Sequence, residues 1–318
     1  MTYAADPLSL GVPEDVRAIL RCPTCHGTLD SQSEGFSCRT CGKSFPQTGG
    51  LTRFVDAQYY AQSFGFQWHR YADSRWDQES DITFARKTGF SPKDMAGKLV
   101  LDVGCGTGRF VDVVTRYGAR TVGIDLSAAA EVAARNLKDR ELATIFQADV
   151  FNLPFAPESF DFIYSIGVLH HTPDCEKAFK TLTTFLKPGG QIAIWLYSAY
   201  NKWYRFSDIY RKVTSRMSAR SLHALCQLAG PFYYIHRGLR RIPLVGRPIS
   251  AGIKTVLPLT LDDPNWDYRV LATFDWYSPK YQSKHTYEEV FGWFESCGLV
   301  DLHVIGPPVA VRGRKPRS

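Results

Sequence analysis

Two sets of residues have the types and spacing to do chemistry. The first is Cys22-Pro-Thr-Cys25 and, twelve residues on, Cys38-Arg-Thr-Cys41-Gly42. Each CxxC brings two thiolates from one tight turn to the same tetrahedral ion, and Gly42 lets the second turn close without a Cβ clash. Four sulfurs fill the coordination of a zinc ion and leave no open position, so such an ion would be structural. It would hold together a segment of about 40 residues, too small to bury a sufficient core alone. A disulfide pair or a redox CxxC is the alternative, and it suits a reducing compartment poorly. The second set lies in KLVLDVGCGTGRFVDVVTRYGARTVGIDLS, residues 98–127. Gly104, Gly106 and Gly108 make a turn where backbone can approach a ligand. Asp125, 17 to 21 residues beyond them, is placed to accept from both hydroxyls of a ribose.

These residues need elements to hold them. The apolar run Leu99 to Val103 reads as a buried parallel strand, Arg109 to Tyr117 as a helix, and Thr121 to Ile124 as a second strand ending in Asp125. Phe146 to Val150 ends a third strand with Asp149, a carboxylate where an adenine amino group would need an acceptor. Phe160 to Ser165 is a fourth strand, followed by the loop Ile166-Gly167-Val168-Leu169-His170-His171-Thr172-Pro173-Asp174. A helix and the turn Leu186-Lys187-Pro188-Gly189-Gly190 lead into a strand from Gln191 to Tyr197. The glycine turn lacks the sixth-position glycine of a dinucleotide fold and has Asp102 two residues before it, which argues against a pyrophosphate ligand.

Taken in order, LDVGCGTG, GIDLS, QADV and SIGVLHHTPD, with the LKPGG turn, resemble the class I S-adenosylmethionine-dependent methyltransferases over residues 97–197 and again 284–312. The resemblance implies an α/β, Rossmann-like seven-stranded sheet. It implies that Gly104, Gly106 and Gly108 line methionine and ribose, with Asp102 near the methionine amino group. Asp125 would then bind the ribose, Asp149 and the Val150 amide the adenine, and the backbone of Ser165 and Ile166 the methionine part. The run CPTCHGTL…CRTCGKSFPQTGGLTRFV, within residues 15–56, resembles zinc ribbons of the Trm112 type, small activators that accompany methyltransferases.

The expected organisation is a zinc ribbon over 15–56 and aromatic lid or linker helices over 57–96. A cofactor-binding core over 97–197, a basic helical insert and acceptor cap over 198–283, and a final helix with core strands and a basic tail over 284–318 complete it. In YYAQSFGFQWHRYADSRW a helix would align Phe64, Trp68 and Tyr71, either packed on the sheet or as a lid containing Phe66, Gln67 and Trp68. A dry pocket suits methyl transfer, where the task is to place a nucleophile in line. A base is needed only if that nucleophile must lose a proton, and His170 and His171, after the fourth strand, are candidates for base or for structural hydrogen bonding. The Asn- or Asp-Pro-Pro-aromatic motif of amine- and amide-methylating enzymes is absent there. Thr286 could cap a final helix from Tyr287 to Cys297 ending at Gly298, with Glu289 three residues on. The preceding segment then offers Tyr277, Tyr281 and Lys284 as acceptor contacts and His285 as a further contact or catalytic candidate.

The chain has 318 residues, 44% of them apolar and 22% charged, which sets it among globular proteins and apart from disordered or collagen-like chains. The formal charge of +7 is unevenly placed: residues 197–258 contain 11 basic side chains and one acidic, while the flanking parts nearly balance. In that segment Trp203, Phe206, Ile209, Tyr210 and Val213 follow helical spacing, with Lys202, Arg205, Arg211 and Lys212 able to face outward. Further on, Arg237, Arg240, Arg241 and Arg247 surround short apolar runs. Such a composition fits an anionic lipid surface, a phosphate-bearing acceptor or nucleic acid, and equally a solvated face. Its apolar share favours an amphiphilic acceptor over bare RNA. The start lacks a signal-peptide pattern and no stretch is long enough to span a bilayer, so a cytoplasmic protein is expected, with contact at the inner membrane surface open. The ending RGRKPRS is expected to be a frayed tail. The best reading is a methyltransferase for a small or lipid-linked acceptor, O-methylation foremost. An RNA-modifying enzyme using the ribbon and insert to hold RNA, and a non-catalytic cofactor-binding scaffold, are the alternatives; the oligomeric state is open.

Overall fold

The computed structural model describes residues 11–55, 79–200, 204–256, 259–261, 263–306 and 309–317. The aromatic segment containing Phe64, Phe66, Gln67, Trp68 and Tyr71 lies outside them. The chain divides into two compact units, the larger holding the described residues up to 55, 79–198 and 281–317, and the smaller residues 199–280.

In the larger unit β1 (Leu29–Gln32), β2 (Gly35–Cys38), β3 (Ser44–Thr48) and β4 (Leu51–Arg53) form an antiparallel run that follows α1 (Glu14–Ile19). Next come the helices α2 (Glu79–Thr88) and α3 (Pro92–Met95), then β5 (Leu99–Val103), α4 (Arg109–Arg116), β6 (Arg120–Asp125), α5 (Ala129–Asn136), β7 (Ala143–Gln147) and β8 (Phe160–Ile166). A short turn of 3₁₀ helix at Leu169–His171, then α6 (Cys175–Thr183) and β9 (Leu186–Leu196), complete this alternation of strand and helix. After the second unit the chain returns as α12 (Tyr287–Ser296), β10 (Val300–Gly306) and β11 (Val309–Arg314). β7, β6, β5, β8 and β9 pair in parallel, β11 runs antiparallel beside β9, and β10 closes that edge. Val100, Leu101 and Val103 are buried, as a strand covered on both faces requires.

The expected seven strands are present but continue into an eleven-stranded sheet, because β4 pairs in parallel with the edge strand β7 through Thr52 and Arg53. An edge strand offers unsatisfied amides and carbonyls, and β4 satisfies them. The cysteine-rich segment also shares its core with the sheet. Val16, Leu20, Phe36, Phe45 and Phe54 pack in one cluster with Phe146, Val150, Leu153 and Phe155, and the Phe54 and Phe146 rings meet edge-on at 5.4 Å. The expected frayed tail is corrected: Arg312 to Arg314 belong to β11, and Lys315 donates its amide to Gly190 O and its Nζ to Glu158 and Leu186 O.

The smaller unit is helical: α7 (Tyr204–Thr214), α8 (Ala219–Cys226), α9 (Ala229–Leu239), α10 (Gly246–Val256) and α11 (Trp266–Tyr277). Leu222, Cys226, Val270, Phe274 and Tyr277 form its core. The buried Arg269 guanidinium donates to Asp263 O and Pro264 O, both at 2.8 Å, and lies 4.1 Å from the centre of the Tyr233 ring. The expected facing of α7 is corrected at Ile209, Arg211 and Val213, since Arg211 is buried while Ile209 and Val213 are 59% and 67% exposed; Lys212 faces outward as expected, and Ser207 and Thr214 are buried. Arg211 donates to Pro279 O at 2.7 Å and Thr214 to Tyr277 O at 3.1 Å. Carbonyls at the end of α11 and just beyond it, Tyr277 O and Pro279 O, therefore draw the polar face of α7 inward. Among the described residues no helix is long and apolar enough to cross a membrane.

Candidate functional site

The glycine turn is built by the ends of β5 and β6. The amides of Gly104 and Cys105 both donate to Ile124 O, at 2.8 and 2.9 Å. Gly104 has φ +79°, and a Cβ there would lie 2.4 Å from the Val168 methyls; Gly108, at φ +90° where α4 begins, would put a Cβ 2.6 Å from Leu137 Cδ1. Left-handed backbone and close packing together exclude a side chain at both positions. The result is a cradle of bare main chain at the C-terminal edge of a parallel sheet, where open α/β folds take ligands.

Carboxylates surround it. Asp125 Oδ2 accepts from the Gly106 amide at 2.9 Å, and Oδ1 accepts from the Ser127 amide and hydroxyl at 2.8 and 2.7 Å. These bonds fix its orientation against the turn and leave acceptor capacity on a group with about four lone-pair sites. Asp102 is buried and its Oδ2 has no hydrogen-bond partner, as is true of the Tyr164 hydroxyl on the residue opposite it in the β5–β8 register. Burial pushes the Asp102 carboxyl up to about 8, opposed by the neighbouring Tyr164 hydroxyl and aided by the charge of Asp125. Burial likewise raises Asp125 and Asp149 above the usual carboxylate range. Asp149 follows β7 and accepts from the Phe151 amide at 3.1 Å, while Val150 is buried in the core. The Ser165 hydroxyl donates to Val103 O at 2.9 Å, tying β8 to β5, and Ile166 ends β8 beside it. An unpartnered buried carboxylate oxygen and a cradle that a Cβ would fill fit a cationic amino-acid nucleoside of the S-adenosylmethionine kind.

The histidines lie at the next strand ends. His170 is fully buried, its ring stacked 4.0 Å from Tyr197, and its carbonyl accepts from the Ser283 amide at 2.8 Å. His171 Nδ1 is 3.1 Å from Tyr281 O, and because a carbonyl only accepts, Nδ1 carries a proton in that contact. His285 is buried, with Nε2 2.7 Å from Ser283 Oγ and Nδ1 3.0 Å from Glu289 Oε1. Residues 281–285 therefore staple the 170–171 loop to the end of β9, where the His285 amide donates to Tyr197 O. Thr286 caps α12 by accepting from the Glu289 amide at 3.2 Å. Lys284 is half-buried in the same segment. Tyr277 is buried in the core of the smaller unit, and Arg237, Arg240 and Arg241 are exposed there around the end of α9. Trp68 lies outside the described residues.

Two residues escaped the sequence reading. Arg53, last in β4, donates to Gln147 Oε1 and, at 2.9 Å, to Glu131 Oε1, while the next amide, Phe54, donates to Gln147 O. It thus ties the cysteine-rich segment to the strand preceding Asp149 and to the helix following Asp125. Lys87 on α2 holds its ammonium 3.8 Å from the Trp195 ring centre, and burial, with the Arg109 charge, lowers it to about 8. Lys87 belongs to no motif, and Arg53, though inside the GGLTRFV end of the cysteine-rich run, has a residue type that the run gives no role.

The four motif cysteines converge, with Sγ atoms all within 4.8 Å of one another; Cys22 and Cys41 are 3.7 Å apart, and Cys25 and Cys38 3.4 Å. Sulfurs bound tetrahedrally at about 2.3 Å from zinc would stand roughly 3.8 Å apart. The donor set and spacing fit a single closed ion site.

Residues 101–194 match the family described as "Methyltransferase domain". The match falls on β5 to β9, the parallel part of the sheet that carries the glycine turn. Among known proteins, the probable tRNA methyltransferase 9B of Mus musculus is 37% identical over 113 residues, covering 35% of this chain and 24% of that one. A ubiquinone biosynthesis O-methyltransferase of Pseudomonas fluorescens is 25% identical over 215 residues, covering 63% of this chain and 87% of that one. This chain therefore spans about a quarter of the first relative and most of the second. A solved S-adenosylmethionine-dependent methyltransferase from Mesorhizobium loti is 27% identical, covers 39% of this chain and 53% of its own, and has a TM-score of 0.32.

Proposed function

We propose that this protein transfers a methyl group from S-adenosylmethionine to an oxygen of a small, amphiphilic acceptor. Three carboxylates around a side-chain-free cradle, Asp102, Asp125 and Asp149 at the ends of adjacent parallel strands, carry this reading. Bound S-adenosylmethionine supplies a methyl group already activated on a sulfonium. Asp125 would hold both ribose hydroxyls, Asp149 and the Val150 amide would read the adenine, and Asp102 would compensate the amino group. The main chain of Gly104, Gly106, Gly108, Ser165 and Ile166 would form the walls. Where the acceptor oxygen must lose a proton, we assign its acceptance to His171 Nε2, with His170 and His285 positioning that ring through the 281–285 segment. The four thiols would hold structural zinc, in a ribbon that resembles the Trm112 type. The basic segment 198–283 would meet the acceptor or the anionic surface that presents it.

The small-acceptor reading is favoured by the longer extent of similarity to the O-methyltransferase, 63% of this chain against 35% for the tRNA methyltransferase. The second reading, RNA modification, draws on the latter and on the basic segment; steep salt-dependent RNA binding would favour it. Calorimetric titration of S-adenosylmethionine into the purified protein is the deciding measurement, and absence of binding sinks the enzyme reading. Asp125→Ala should weaken that binding on the order of 100-fold, through the loss of charge-assisted bonds to two hydroxyls, with zinc content unchanged. Equal affinity would remove the ribose assignment.

A further inference from the structure

The smaller unit presents a surface that the cofactor site does not use. Between Asp208 and Asp262 the sequence has nine basic side chains and no acidic one. Four of them, Arg237, Arg240, Arg241 and Arg247, gather in RGLRRIPLVGR, the turn from α9 into α10. All four are exposed, and among the described residues none meets a carboxylate; Arg237 reaches only the Tyr233 hydroxyl, at 3.1 Å. Between the arginines stand Ile242, Leu244 and Val245, at 47%, 96% and 54% exposure.

The turn is built, not frayed. Ile242 donates to Leu239 O at 2.9 Å and Val245 to Pro243 O at 2.7 Å, and Gly246 is so tightly held that a Cβ would lie 1.8 Å from Leu239 O. Leu244 sits at φ +63°, a left-handed conformation that a bulky residue seldom adopts. Single exposed apolar side chains are ordinary on protein surfaces, but an aliphatic tip ringed by guanidinium groups that meet no carboxylate among the described residues is an amphipathic arrangement. Its two chemistries call for a partner that is anionic at the surface and apolar just beneath. RNA would satisfy the arginines, yet bases bind by stacking on aromatic rings and Ile242 to Val245 has none. A second copy of the same tip would bring like charges together.

We propose that the α9–α10 turn docks the protein on an anionic phospholipid bilayer, with Arg237, Arg240, Arg241 and Arg247 at headgroup phosphates and Ile242, Leu244 and Val245 entering the acyl boundary. Docking of this kind deepens, and rests on, the reading of the basic segment as the part that meets an amphiphilic acceptor or its surface. It does not depend on which atom is methylated. Co-flotation of the full-length protein with mixed phosphatidylcholine–phosphatidylglycerol vesicles tests it. Binding is expected to the mixed vesicles and not to phosphatidylcholine alone. Replacing Arg237, Arg240 and Arg241 by Gln should lower partitioning on the order of 100-fold, at about fivefold per charge. Leu244→Ser leaves the charge intact and should lower it about tenfold, with helix content and calorimetric S-adenosylmethionine affinity unchanged. Equal flotation of Leu244→Ser, equal binding to uncharged vesicles, or flotation abolished by competing RNA would overturn the proposal. S-adenosylmethionine titration separates it from the enzyme reading: loss of flotation with intact cofactor binding fails only the docking, and loss of cofactor binding with intact flotation fails only the enzyme.

Discussion

Asp102 couples folding, pH and cofactor binding in one side chain. It is buried with an unpartnered oxygen, and its carboxyl is held up at about 8 chiefly by burial. An acid raised in the folded state binds its proton more tightly there than in the unfolded chain, so folding is favoured while it stays protonated. That contribution is present below the unfolded value near 4 and is lost as pH rises towards 8. Without ligand, therefore, the protein should lose stability between about pH 5 and pH 8, in the opposite sense to a salt-bridged aspartate. Asp102→Asn should stabilise the ligand-free protein at neutral pH, on the order of 2 kcal/mol, and flatten this slope, while weakening S-adenosylmethionine binding. Urea titrations across that range, with and without ligand, read both effects. A variant destabilised in the free state and unchanged in cofactor affinity would show Asp102 to be a purely structural acid.

At the scale of elements, β4 joins two parts that the sequence presents as separate. Its pairing with β7 and the Arg53 contacts to Gln147 and Glu131 couple the thiol cluster to the segments that begin with Asp125 and end with Asp149. Arg53→Ala should consequently weaken cofactor binding about tenfold while the four thiols still bind metal. Isothermal titration and metal analysis on the same sample test this, and unchanged affinity would leave Arg53 a surface clamp only. Cys22→Ser takes one thiol from the proposed zinc site and disturbs a core shared with Phe146 and Phe155, so it should lower both zinc content and melting temperature. The strands and glycine turn were readable because burial on both faces forces apolar runs, and because a turn with left-handed backbone forces glycine. The cysteine spacing was readable because a tetrahedral ion admits few alternatives. Arg53 and Lys87 were not, since their partners are brought up by sheet pairing and helix packing, which leave no local pattern. The facing of α7 is illegible for a related reason: the carbonyls that hold Arg211 and Thr214, Pro279 O and Tyr277 O, come from the end of α11 and the segment just beyond it, over 60 residues away.

For the whole molecule, the charge and the cores divide along the same line. The positive balance lies in residues 197–258, within or bordering the smaller unit, whose core is the modest cluster around Val270 and Phe274. The larger unit has a far more extensive core, and every residue assigned to the cofactor lies in it. A ligand stabilises only what it binds, by about 2.7 kcal/mol when present at 100 times its dissociation constant. In scanning calorimetry, saturating S-adenosylmethionine should therefore raise the transition of the larger unit by several degrees and leave the melting of residues 199–280 almost unmoved. Raising the salt concentration should do the reverse, because screening relieves repulsion among the nine basic groups between Asp208 and Asp262 and acts little on a nearly neutral sheet. Tryptophan fluorescence alone would mix the two units, so each heat-absorption peak needs its own assignment, for which Asp125→Ala serves: it should abolish the ligand shift of one peak only. A single transition that moves as one with ligand and with salt would mean that the two units fold as one cooperative body, and that the basic segment is energetically part of the cofactor domain.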